Sequence, residues 1–305
     1  MLVTDRAINS RREPTQPLVC LDTTTSSTLP QPITTPTAWS YDESQDWGML
    51  SPDFELCQVG TQQAPIPLNF QQGLSTSHLP ILNYSSTVEG SYYNWGYGPA
   101  FSLSKAQCTS GSTAADCPVD FDAPNFTFDD NGINETVYLV SWHVHTPADH
   151  SVQNDRSKAE LHLVHVDKNG SERAVLAIRI DPGILSYSNF FGQAPFLSSN
   201  DTGMAMEGEQ ATTLPVESRF PNFNSLDTRI NGTSTPAVAL QEVGDFREMW
   251  TYRGSLTSPP CREGIRFFVA RQILFVSNPQ MQDILRISTY SARAEQEVWM
   301  HEINV

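Results

Sequence analysis

The stretch from residue 141 to 165, SWHVHTPADHSVQNDRSKAELHLVH, constrains the fold more than any other part of the chain. It holds two histidine-bearing runs, WHVH at 142–145 and AELHLVH at 159–165, and both read as β-strands. His143 and His145 are two apart, so in a strand their side chains leave the same face. Glu160 and His162 obey the same parity in the second run, with Leu161 and Leu163 on the other face. The 13 residues between the runs include Pro147, Asp149, Asn154 and Asp155, which suits a loop joining antiparallel neighbours. Three imidazoles from two adjacent strands then converge on one point. That is the ligand set of a catalytic zinc site, with three protein nitrogens and a fourth position for water.

A lone H-x-H is a weak signal, because a strand histidine is more often a core or surface residue than a ligand. Here five of the chain's seven histidines fall within these 25 residues, which raises the weight of the pair. Glu160 adds to it. A carboxylate at a buried position of a hydrophobic strand is costly unless paired, and beside His162 it is an acceptor able to fix a ring N–H.

These motifs carry a resemblance. WHVH followed by AELHLVH resembles the α-class carbonic anhydrases, and the chain looks like a secreted, fungal-type member. YRGSLTSPPC at 252–261 is similar to the family's Y-x-G-S-L-T-x-P-P-C loop. The likeness runs from about residue 38 to the C-terminus. It implies a mainly β fold for residues 38–305, a single domain on a central, largely antiparallel twisted sheet with a few short peripheral helices. It also implies one Zn2+ on His143, His145 and His162, and reversible hydration of CO2 to bicarbonate and a proton by zinc-bound hydroxide, a lyase (carbonate dehydratase) activity. Thr257 takes the place of the threonine that orients that hydroxide and donates its own proton to a buried carboxylate. The carboxylate is expected from PADHSV at 147–152, where Asp149 replaces a glutamate and is one methylene shorter. Ser141 stands where a glutamine usually holds the first ligand, while Glu160 supports the third.

The same resemblance places Tyr41, in WSY before DWG, near the threonine, and Val164, Val175, Leu256 and Ser258 around the substrate. His150 and His165 match histidines with structural roles. NWGYGPAF at 94–101 is similar to the segment that carries the family's proton-shuttle histidine, but here that position is Pro99. Two other readings compete. A cupin-type metal oxygenase would also use an H-x-H, an acidic residue and a later histidine, but the glycines and the P-x-G of that pattern are missing. A catalytically weak family member, serving as a binding or storage protein, would fit the departures at Asp149, Pro99 and Ser141.

Composition narrows the partners. A net charge of −16 and a pI near 4.7 argue against nucleic acid and anionic membrane surfaces, and no apolar run approaches the ~20 residues of a spanning helix. The expected partner is a small molecule, with the oligomeric state open and a homodimer among the options. The five cysteines and six N-x-S/T sequons, at Asn83, Asn125, Asn134, Asn169, Asn200 and Asn231, point to a secreted glycoprotein. Cys57 and Cys261 match positions paired in secreted members, Cys108 and Cys117 flank a short polar loop suited to a local disulfide, and Cys20 is left over. The N-terminus lacks the apolar core of a signal peptide, and residues 1–37, rich in Thr, Ser and Pro, are expected to be disordered or a processed leader.

Along the rest of the chain, strands are expected at 79–82, 101–103, 136–140, 173–180, 237–240 and 265–270, a helix at 278–286 and an edge strand at 298–305. Residues 104–136 read as an insertion, and the sequence places no elements between 183 and 235.

Overall fold

The computed structural model describes residues 38–84, 87–106, 119–196 and 228–305. The expectations for residues 1–37, for a Cys108–Cys117 bridge and for the Asn200 sequon lie outside the described residues. The strands are β1 (Ile81–Asn83), β2 (Val88–Asn94), β3 (Pro99–Leu103), β4 (Asn125–Asp130), β5 (Ile133–His145), β6 (Ser151–Val152), β7 (Asp155–Arg156), β8 (Ala159–Val166), β9 (Glu172–Pro182), β10 (Ile230–Ser234), β11 (Met249–Ser255), β12 (Glu263–Ala270) and β13 (Leu274–Val276). Eleven of them form one sheet in the order β10-β2-β3-β5-β8-β9-β12-β11, with β1, β4 and β13 paired alongside. Among the described strand pairs, only β12–β9 and β13–β9 are parallel. Helices are short, and the fold is mainly β, as expected.

One irregularity decides what the sheet presents. In the first part of β5, Val137 and Leu139 point into the main apolar core; in the second part Trp142 and Val144 do. The parity changes at a bulge between Leu139 and Ser141, where Leu139 faces His165 but Ser141 faces Val164. An extra residue in one strand reverses which side chains face inward. Without it, His143 and His145 would lie on the same face as Leu139, inside the core. With it, a single 13-residue strand feeds the core along its length and still offers both histidines to the opposite face. The sequence reading saw two separate runs here and no bulge.

Strand β8 needs no such device. Leu161 and Leu163 join the core, together with Leu176, Ile178 and Ile180 of β9 and Phe268 of β12. Glu160, His162 and Val164 take the other face. There Val175, Ala177, Ile265 and Phe267 form a second apolar cluster with Trp250 and Tyr252. The loop between β5 and β8 is tied down by the small β6–β7 ribbon.

Three expectations change. Residues 237–240 are part of the helix Pro236–Glu242, not a strand. A four-residue apolar run reads either way, and Pro236 at the first helical position sets the turn. Residues 298–305 lie beside β11 but form no strand: the backbone bonds between them are Arg253 N to His301 O at 3.0 Å and Asn304 N to Thr251 O at 2.7 Å, and Thr251 N donates instead to the Asn304 side chain at 3.0 Å. Glu302 and Asn304 adopt φ of 48° and 61°, which breaks an extended run. Strands β2, β4 and β11 are additional: the sequence reading places no element over β2, β4 lies in the segment read as an insertion, and β11 runs into the segment read as a loop. The helix Asn278–Arg286 is where the sequence puts it, with Ser277 Oγ accepting from Gln280 N in a capping box.

Candidate active site and metal centre

His143, His145 and His162 come together from β5 and β8, where His143 and His162 are direct cross-strand partners. His145 and His162 are nearly inaccessible, and one nitrogen of each of the three rings lies within 4.8 Å of the others. Hydrogen bonds fix which nitrogen two of the rings can offer. His145 Nδ1–H donates to the Ser291 carbonyl at 2.7 Å, so its Nε2 keeps the lone pair. His162 Nε2–H donates to Glu160 Oε1 at 2.7 Å, so its Nδ1 is the free donor. His143 Nε2 faces His145 Nε2 at 3.0 Å. A tetrahedral ion with bonds of about 2.0–2.1 Å needs donors about 3.3 Å apart, close to the spacing of this pair, and the three rings together form a group that could hold a metal.

Charge supports the same reading. Burial, then the neighbouring His145 and His162, hold the His143 ring well below its usual pKa, which leaves it neutral. Burial also lowers His145, against the pull of Asp149. Glu160 is fully buried, and burial opposes its charge. It stays well below the ordinary carboxylate range because His150 outweighs that cost, aided by the bond from His162. Its oxygens accept from His150 Nδ1 at 2.6 Å and His150 N at 2.9 Å, while Tyr252 Oη meets His150 Nε2 at 2.7 Å. His165 lies on the core face, bonded to the Tyr84 hydroxyl. Ser141 is on the ligand face, but no hydrogen bond joins it to His143 among the described residues.

The loop after β11 packs Leu256 against the second apolar cluster. A disulfide, Cys57–Cys261, closes it with a Cα–Cα distance of 5.0 Å. Buried Arg293 donates to the carbonyl of Ala64 at 2.7 Å and to Gln63 Oε1 at 2.9 Å; Ser255 Oγ accepts from Ala64 N at 3.0 Å. Thr257 is 7% exposed in this loop. Asp149 is fully buried; its Oδ1 accepts from Arg293 N at 2.8 Å. Its Oδ2 lies 3.6 Å from His145 Nδ1 and has no hydrogen-bond partner among the described residues, so no direct bond reaches Thr257. Tyr41 is buried with its ring 5.9 Å from that of His145. Burial, then Asp149, push its hydroxyl well above its usual pKa, against the lowering effect of Arg293 and Ser258.

A model of eukaryotic-type carbonic anhydrases matches residues 42–303. The chain belongs to that family. Among curated relatives, a carbonic anhydrase of Pectobacterium atrosepticum is 27% identical over 234 residues, 76% of this chain and 75% of that protein. Dioscorin dioA3 of Dioscorea japonica is 29% identical over 242 residues, 78% of this chain and 71% of its own. The solved fungal α-carbonic anhydrase of Aspergillus oryzae superposes with a TM-score of 0.60 at 19% identity, over 83% of this chain and 89% of that one, and shares the fold.

In this carbonic anhydrase, Val175 packs in the apolar cluster beside the triad with Leu256 at its edge, and Val164 is half-buried next to Val175 on the sheet. Ser258 is half-buried in the loop. Sequence reasoning missed Ile265 and Phe267 of the same cluster, the Ser291 carbonyl, and Trp95, whose ring lies 5.0 Å from that of His143 and 5.2 Å from that of His145. The period-two pattern of β12 could have pointed to Ile265 and Phe267. No local signal marks the other two.

Proposed function

We propose that this protein hydrates CO2 reversibly to bicarbonate and a proton at one zinc, held by His143 Nε2, His145 Nε2 and His162 Nδ1. The observation that carries the reading is the set of three rings with one nitrogen each within 4.8 Å of the others, two of which have the free nitrogen fixed by their bonds to Ser291 and Glu160. Zinc on three neutral imidazoles supplies a water whose pKa is lowered to about 7, a nucleophile at neutral pH. The chain supplies the rest. Val164, Val175, Leu256, Ile265 and Phe267 offer an uncharged electrophile an apolar resting place. Thr257 orients the attacking water toward the carbon, with Ser258 and Tyr41 beside it.

Asp149 Oδ2 is the acceptor for the Thr257 hydroxyl in this reading. It is supported by the oxygen's burial without a partner, a state that costs about 1–3 kcal/mol and favours any donor brought within reach. A charge-assisted bond of this kind is worth about 1.5–3 kcal/mol, or about ten- to a hundredfold in rate. Asp149→Ala is expected to lower kcat/KM at least about tenfold with zinc retained. A variant matching the unmodified protein would leave Asp149 a loop residue and strengthen the binding-protein reading, which the missing direct bond to Thr257 favours.

The proton must also leave. Pro99 is buried in β3 opposite Asn94 and carries no titratable group. Turnover is expected to rise with imidazole concentration, and Pro99→His to raise it at low buffer; a rate already independent of buffer would point to another carrier. The whole reading is tested by stopped-flow CO2 hydration with zinc-loaded protein. Zinc binding without hydration above the buffer rate would shift the assignment to a binding or storage role. The Cys57–Cys261 bridge and the exposed Asn83, Asn134, Asn169 and Asn231 support a secreted, glycosylated protein.

A further inference from the structure

Trp95 occupies a position that the reaction as described does not use. It opens the turn between β2 and β3, where its N–H donates to the Gly98 carbonyl at 3.0 Å and Gly96 N donates to Asn94 Oδ1 at 2.9 Å. The turn lays the indole across the ligand face of β5. Its Nε1–H donates to the carbonyl of Val144, the residue between His143 and His145, at 3.2 Å. Its ring meets that of His143 at 5.0 Å and 57°, and that of His145 at 5.2 Å and 66°. These separations and tilts lie in the range where aromatic rings attract edge to face.

The indole has little freedom to leave. It is 6% exposed and wedged by Tyr97 at 5.1 Å and Tyr41 at 6.2 Å. Gly98 makes the approach feasible, because a Cβ there would meet the Val144 carbonyl oxygen at 2.8 Å. The direct partner of His143 on β3 is Ala100, a residue small enough to leave the imidazole room.

The three ligand rings are not held alike. His145 is bonded to Ser291 O and His162 to Glu160. His143 has no hydrogen bond to anything but its fellow ligand among the described residues, and Ser141, two residues back on the same face, does not reach it. Something else must set that ring's rotation. We propose that Trp95 is the positioning residue of the metal centre, an indole clamp that sets the rotation of the His143 ring. Anchored at Val144 O, it reads the backbone position of both β5 ligands and fixes their rings relative to it. It also seals one side of the site against water.

The inference rests on the metal reading above, and the test separates the two. Zinc dissociation constants are measured by chelator competition, and visible spectra are recorded for the Co2+-substituted protein. Trp95→Leu is expected to raise the zinc constant about tenfold or more, the usual cost of losing a partner that orients a ligand, and to change the Co2+ spectrum. Trp95→Phe, which keeps a ring but loses the bond to Val144 O, should fall between. Ser141→Gln should change affinity less than about threefold alone, yet recover much of the loss in Trp95→Leu, because an amide on the same face can take over the ring. If Trp95→Leu does not fold, the same cycle is run with Trp95→Phe. A zinc constant within about threefold of the unmodified protein and an unchanged Co2+ spectrum in the Trp95 variants would overturn the clamp, whatever happens to Tm. So would an equal gain from Ser141→Gln in both backgrounds. An unmodified protein that binds no zinc would remove the metal reading itself, and the clamp with it.

Discussion

His162→Ala protein is expected to come off a column without zinc and without measurable CO2 hydration. Of the three proposed ligands, His162 is the one supplied by β8, and its Nε2–H bond to Glu160 leaves Nδ1 free for a metal. Removing it leaves two imidazoles on one strand, which cannot complete a tetrahedral site. The variant should nevertheless fold. Glu160 keeps its two bonds from His150, so its charge stays paired, and the lost ring borders the site rather than the main core. Metal analysis by emission spectroscopy, read beside circular dichroism, decides the matter. Full zinc occupancy with normal activity would move the centre away from His162.

Loss of the Cys57–Cys261 bridge should produce the largest change in stability. The two cysteines are 204 residues apart in sequence. In the chain-entropy model a closure of that length restrains the unfolded chain by at most about 5 kcal/mol. That is a large part of the ~5–15 kcal/mol by which domains are stable. Cys57→Ser is therefore expected to lower the guanidinium midpoint strongly. It should also lower turnover, because Cys261 ends the loop that bears Thr257 and donates its backbone N–H to the Ser258 carbonyl at 2.9 Å. Arg293 holds the other end of this arrangement. Burial brings its pKa down to about 10, against the raising effect of Asp149, so it stays charged at neutral pH and keeps its bonds. Peptide mapping should recover Cys57 joined to Cys261. Free thiols in protein made in an oxidising host, or an unchanged midpoint in Cys57→Ser, would count against this account.

What could be read from the chain follows from how local each signal is. Strand parity is a property of neighbours, so H-x-H was enough to put His143 and His145 on one face of their strand, and E-x-H to do the same for Glu160 and His162. A capping serine followed by Asn-Pro is equally local, and it placed the helix Asn278–Arg286. The Y-x-G-S-L-T-x-P-P-C likeness located Thr257 and Cys261 for the same reason, being one unbroken stretch.

The rest depends on partners distant in sequence. The bulge after Leu139 is set by register against β8, and it alone turns His143 and His145 out of the core. β2 and β10 are joined across more than a hundred residues, as are the Ser291 carbonyl and His145, and nothing in either segment announces the other. The choice of Nε2 for His145 and Nδ1 for His162 is a matter of which acceptor stands beside each ring. Sequence determined which side chains could share a point. Only the folded chain decided how each is turned, because rotation about a side-chain bond is settled by hydrogen bonds and packing that long-range contacts supply.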